Sequence, residues 1–181
     1  MRQYYVYHAV PEIVEGKHLY PLNQLKDKYP EIYKKSLGKY SGREWVLEAK
    51  IERLDCTFKD ILNLTPVCPV KLKLSWVNLF SSKLSFPFSH FYRFSAEDIG
   101  LNEMNSCFFI EKKERVNGIN KNLVEYFSKE SLGKYNEINR DTIRYYKKCL
   151  RDNRTPLVFA HVPHVLFKGA IPLFKGEIVK V

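Results

Sequence analysis

Long apolar runs are missing from this sequence. No stretch approaches the roughly 18 apolar residues that cross a bilayer, so no transmembrane segment and no membrane partner are expected. The opening Met1-Arg2-Gln3-Tyr4-Tyr5-Val6 has neither an apolar h-region nor a small-residue cleavage site. No signal peptide is therefore expected, and the chain reads as cytoplasmic. Closely spaced cysteines are missing too. Cys56, Cys68, Cys107 and Cys149 show no C-x-x-C spacing, which argues against a zinc ribbon or a thioredoxin-type site. Their surroundings are apolar, as in Asn105-Ser106-Cys107-Phe108-Phe109, so buried, reduced thiols are expected. Neither phosphate-cradling loop, G-x-x-x-x-G-K-[ST] or G-x-G-x-x-G, occurs. H-E-x-x-H and G-x-S-x-G are also absent. No Gly/Ser/Pro-rich linker divides the chain, and 181 residues suit one domain around one core.

Acidic residues are in deficit. Thirty Lys and Arg face 20 Asp and Glu, for a net charge of +10. Such a charge bears on partners rather than on fold: nucleic acid, nucleotide phosphates and anionic membrane are the usual ones, against solubility alone. Hydrophobic residues, at 45%, are enough for a sizeable interior, and aromatics are plentiful at 14%.

The pattern along the chain alternates between strand and helix. Tyr5, Tyr7 and Ala9 alternate with Tyr4, Val6 and His8 in a first strand that Pro11 ends. Leu22, Leu25, Tyr29 and Tyr33 recur at helical spacing, with Pro30 breaking or restarting the helix. Ser41 and Glu44 have capping-box spacing for a short helix over 41–50, whose Trp45, Val46 and Ala49 share one side. Leu72, Leu74 and Trp76 alternate with Lys71, Lys73 and Ser75 as in a strand. Phe88, His90, Tyr92 and Phe94 form one strand face, with Ser89, Phe91, Arg93 and Ser95 on the other. Ser95-Ala96-Glu97-Asp98 reads as a cap and first helical turn, and 107–111 as a strand. Helix is expected from 117 to 153. Leu123, Val124 and Phe127 mark one helix; Ile143, Tyr146, Cys149 and Leu150 mark another that starts near Asn139. A strand over 157–160 and a terminal β segment follow. The echo of Phe167-Lys168-Gly169-Ala170-Ile171 in Phe174-Lys175-Gly176-Glu177-Ile178 suggests a hairpin or meander. The order implies an α+β domain over residues 1–181, with a mixed or antiparallel sheet and helical insertions.

Five features could carry chemistry. His8, at the end of the first strand, can bond a ligand through either ring nitrogen, or can be satisfied within the sheet. Arg43, at a helix start, could clamp phosphate or carboxylate, or lie exposed. His90, on an aromatic strand face, needs a partner if buried, either a ligand or a core tyrosine. His161 and His164 flank Val162-Pro163, a spacing better suited to a turn than to a metal, and no metal site is expected. Arg140, Arg144, Lys147, Lys148 and Arg151 share one helical face, which could contact nucleic acid without sequence preference or be a solvated face.

The order of these features resembles DarT, the bacterial toxin family that ADP-ribosylates DNA bases using NAD. That family opens with a strand ending in Tyr-His, matched here by Tyr7-His8. An essential arginine follows, and Arg43 is the nearest match. Ile61-Leu62-Asn63-Leu64-Thr65-Pro66-Val67-Cys68-Pro69-Val70-Lys71-Leu72 resembles the family's Pro-x-x-hydrophobic segment. Phe88-Ser89-His90-Phe91, 107–110, 157–160, Val162-Pro163 and Ala170-Ile171 follow its later plan. The resemblance implies an ADP-ribosyltransferase-like fold and NAD as substrate. It implies His8 and Arg43 in catalysis, and Tyr7, His8 and His90 around the NAD. Nucleic acid is the implied acceptor, and an antitoxin-like protein an implied partner. One departure stands out. Where the family carries its catalytic glutamate, this chain has Thr155-Pro156-Leu157-Val158, with no acid. In this chemistry a carboxylate orients the ribose or stabilises the oxocarbenium-like transition state. Glu44 or Glu48 would have to substitute for it. Alternatively the chain is an inert nucleotide- or nucleic-acid-binding relative, or a partner-binding protein with an aromatic interface.

Overall fold

In a computed structural model, which describes residues 3–80, 83–110 and 124–181, the first strand forms as expected. β1 (Tyr5–Ala9) lies antiparallel to β6 (His90–Ser95), and β6 pairs on its other side with β11 (Gly176–Lys180). A second sheet has the order β5 (Ile61–Leu64), β9 (His164–Lys168), β7 (Ser106–Phe109) and β8 (Val124–Tyr126). β2 (His18–Leu19) pairs with β10 (Ile171–Pro172), and β3 (Lys50–Ile51) with β4 (Cys56–Thr57). All these pairings are antiparallel, in keeping with a mixed α/β chain whose sheets are antiparallel. The two larger sheets are hydrogen-bonded to each other at a bridge between Tyr7 and Thr65. The Tyr7 N–H donates to the Thr65 carbonyl at 2.8 Å, and the Thr65 N–H returns the bond at 2.9 Å. Past that bridge β1 diverges from β5, and a gap opens beside His8.

The helices follow their apolar faces. α1 (Leu22–Lys28) ends at Tyr29, and Pro30 starts α2 (Pro30–Gly38) from the first helical turn, where its missing N–H is harmless. α4 (Lys129–Lys134) is capped by Ser128. α5 (Arg140–Arg151) is capped by Asn139, whose Oδ1 accepts from the Thr142 N–H at 2.7 Å. Its buried Thr142, Tyr146 and Cys149 lie opposite the five basic residues. The largest core cluster includes Val6, Leu64, Phe94, Phe108, Phe127, Val165 and Ile171. A second packs Trp76, Phe80, Tyr146 and Val158 between α5 and α3 (Pro69–Phe80).

Several expectations are corrected. Residues 71–76 are not a strand but part of α3, where Leu72, Trp76 and Phe80 recur every four residues and are buried while Leu74 is exposed. The alternation of Leu and Lys imitated a period of two. The helix expected over 41–50 is a single 3₁₀ turn, Glu44–Val46. Gly42 sits at φ +77°, which stops helical continuation from Ser41, and its N–H donates to the Glu44 carboxylate at 3.0 Å. Residues 96–100 form turns, with the Asp98 N–H reaching Ser95 Oγ at 3.4 Å. Residues 124–126 are strand β8, and Phe127 stacks on Phe108 with centroids 5.6 Å apart. Leu123 and residues 117–122 of that expected helix lie outside the described residues. Residues 157–160 make turns rather than a strand. Their apolar character serves packing: Val158 is buried, and its carbonyl accepts from the Tyr146 hydroxyl. The two echo segments do not pair. β9 is interior to one sheet and β11 pairs in the other, with a 3₁₀ turn at Leu173–Lys175 redirecting the chain.

Candidate functional site

The gap beside β1 is a cavity of about 410 Å³, within the range of small-molecule sites. One wall is β1, another β5 with Thr65, a third α2, and a fourth the irregular segment 11–15 between β1 and β2. Phe159 and His164 close it from the C-terminal part of the chain.

His8 lines this cavity. Its Nδ1 lies 2.6 Å from the Ala9 carbonyl oxygen, which can only accept, so Nδ1 carries the proton. Nε2 is then a hydrogen-bond acceptor. Burial pushes the His8 pKa down to about 4; the Ala9 carbonyl opposes this, and the Lys39 ammonium adds to it. A neutral imidazole with an open acceptor suits a ligand hydroxyl or amide N–H. Tyr7 also borders the cavity, but neighbouring strand residues point to opposite faces. Its hydroxyl is bonded to Cys68, and burial raises its pKa to about 12.

α2 turns one face toward the cavity. Ile32, with Lys35 and Ser36 three and four residues on, and Lys39 at the C-cap, four residues past Lys35, all line it. Among the described residues, the lysines lining the cavity are Lys35 and Lys39 and the carboxylates are Glu12 and Glu15. Glu12 Oε2 lies 2.6 Å from Lys35 Nζ, and this contact holds the Glu12 carboxyl below the usual carboxylate range. Asn63, Tyr20 and Tyr40 add polar and aromatic surface, and burial raises the Tyr40 hydroxyl.

Other expected site residues lie elsewhere. Arg43 is exposed and does not line the cavity. Its guanidinium donates to the Lys39 carbonyl at 3.0 Å and lies 5.7 Å from the Tyr40 ring centre, so it braces the end of α2. His90 begins β6, is exposed, and shares a 2.8 Å bond with Ser89 Oγ. It is not buried among the aromatic residues of its strand, because the sheet's packed region starts at Phe91. Glu44 and Glu48 border a separate groove with Trp45 and Lys59, where Glu48 pairs with Lys59 at 2.9 Å. Neither can replace an acid in the cavity. His161 packs on Tyr145 with ring centres 5.6 Å apart, while His164 faces the cavity. Among the described residues no three His, Cys, Asp or Glu groups are arranged to hold a metal. Cys107 and Cys149 are buried; Cys56 and Cys68 are only partly so.

Arg140, Arg144, Lys147, Lys148 and Arg151 are all exposed on α5. Asp141 offsets one of them, pairing with Arg144 at 3.0 Å, so the face is less free of carboxylates than its spacing alone suggested. Lys35, Lys39, Glu12 and Asn63 were missed at the sequence level. The helical spacing of Ile32, Lys35, Ser36 and Lys39 was the available signal, but a Lys-rich helix face reads as solvated surface. No protein-family model matches the chain, and neither a curated protein nor a solved structure does. No helix among the described residues is long and apolar enough to cross a membrane.

Proposed function

We propose that the cavity beside His8 binds NAD and that this cytoplasmic domain transfers ADP-ribose to a nucleic acid. The observation that carries the reading is the convergence of His8, from the family-like Tyr7-His8 dipeptide, with two lysines on one cavity. NAD needs an acceptor for ribose hydroxyls or the carboxamide, and cations for its phosphates. His8 Nε2 supplies the first; Lys35 and Lys39 supply the second. In the reaction, the bond from the ribose C1′ to the nicotinamide nitrogen breaks, nicotinamide leaves with the bonding electron pair, and an acceptor nucleophile bonds to C1′ and gives up its proton to solvent. The exposed basic face of α5 would draw the acceptor in, and a toxin-like activity of this kind would be restrained by an antitoxin-like protein.

A second reading is favoured by one feature. Among the described residues the carboxylates of the cavity sit on the segment 11–15, and the wall formed by Phe159 and His164 has none. A nucleotide-binding protein without transfer activity has no use for an acid there. Incubation with labelled NAD and single-stranded DNA, RNA or cell lysate separates the two. Label on a nucleic acid supports transfer; NAD binding without label on any acceptor supports the second reading.

The basic face has its own test. If it covers about four phosphates, log K for single-stranded DNA should fall with log salt at a slope of about −3. Arg144→Glu with Lys148→Glu should flatten that slope and weaken binding at low salt. Salt-independent binding contradicts this role for α5.

A further inference from the structure

The segment 11–16 passes along the cavity and is tied to the helical pair α1–α2 at two points. Near its start, Glu12 meets Lys35 of α2 at 2.6 Å. At its end, Gly16 (φ +77°) presses so closely on Tyr29, between the two helices, that an added Cβ would lie 2.2 Å from the tyrosine oxygen. The Gly16 contact is steric and uncharged. The Glu12–Lys35 contact is an ion pair whose side chains are 74% and 54% exposed. Exposed ion pairs are weak and easily exchanged for another anion.

Lys35 and Lys39 stand one helical turn apart on the same cavity face. Two ammonium groups so spaced match a pyrophosphate better than a single carboxylate. We infer that Glu12 is an internal occupant of a phosphate subsite: its carboxylate holds Lys35 in the ligand-free chain, and a phosphate-bearing nucleotide displaces it. The inference rests on the reading of this cavity as a nucleotide site and adds the subsite, its ligand chemistry and its built-in competitor. Displacement frees one of the two ties of the segment 11–16, so binding loosens this wall where it meets α2 and leaves the Gly16 tie in place. The weakness of the pair also keeps the competition mild, so the resting contact delays the ligand without excluding it.

The test uses calorimetric titration of the full chain with ADP and with adenosine. Glu12→Gln and Lys35→Gln break the same contact. The subsite predicts opposite effects. Glu12→Gln should bind ADP about two- to fivefold more tightly, because a competitor is gone. Lys35→Gln should bind ADP about tenfold more weakly, because a phosphate ligand is gone. Adenosine, which lacks phosphate, should bind both variants as it binds the unaltered chain. If both variants shift ADP affinity in the same direction, or Glu12→Gln leaves it unchanged, the contact is only a structural tie and the inference fails. If neither ADP nor adenosine binds any of the three proteins, the nucleotide reading of the cavity fails along with it.

Discussion

Replacing Trp76 with alanine is expected to destabilise the domain by about 4 kcal/mol, while Leu74→Ala, two residues away, should change stability by less than about 0.5 kcal/mol. Trp76 is 2% exposed, and Leu74 is 57% exposed on the same helix. The indole is locked by Phe80, Tyr146 and Phe86 at centroid distances of 5.0, 5.6 and 6.0 Å, and its N–H donates to the Leu84 carbonyl at 3.2 Å. Truncation removes these contacts, leaves a carbonyl without its donor, and opens a void between α3 and α5 that rigid aromatic neighbours cannot close. Urea denaturation of the two variants reads the difference. A strand over 71–76 would put Leu72, Leu74 and Trp76 on one face and make both truncations costly. Equal losses would therefore contradict the helix.

Acid is expected to destabilise the chain in a window set by His8. In the unfolded chain this histidine titrates near 6.5; folded, it is held near 4. Between those values the unfolded state binds more protons, so stability falls as pH is lowered. The contribution is complete above pH 6.5 and lost as pH falls through 4. Its size is on the order of 2 kcal/mol, allowing for solvent entering the open cavity. Going from pH 7 to pH 4.5, the unaltered chain should lose more stability than His8→Gln by most of this amount. Carboxylates with lowered pKa, such as Asp60 and Glu12, act in both proteins and cancel in the comparison. Parallel losses would show that His8 is not held neutral by burial.

The sequence revealed elements whose local pattern and tertiary role agree. β1 alternates and is bounded by proline; α5 carries a cap at Asn139 and a clean division between Tyr146 and Cys149 inside and Arg144 and Lys148 outside. It misled where tertiary packing overrode local pattern. In Lys71-Leu72-Lys73-Leu74 the lysines create an apparent two-residue period, but burial selects every fourth residue. In Leu157-Val158-Phe159-Ala160, Val158 and Phe159 are apolar because they pack with Tyr146 of α5, not because they pair in a sheet. The site divides the same way. His8 was legible because it belongs to a strand whose end defines the gap. Lys35 and Lys39 were not, because only the approach of the segment 11–15 turns an ordinary basic helix face into a cavity wall. Arg43 had a suggestive position in the chain, yet Gly42 diverts the backbone and sends its side chain back to α2.

The most direct test of the central claim is calorimetric titration of NAD into the unaltered chain, His8→Ala and Arg43→Ala. The cavity account predicts saturable binding by the first, about tenfold weaker binding by His8→Ala, and unchanged binding by Arg43→Ala. Loss of binding in Arg43→Ala with His8→Ala unaffected, or no NAD binding by the unaltered chain, would contradict it.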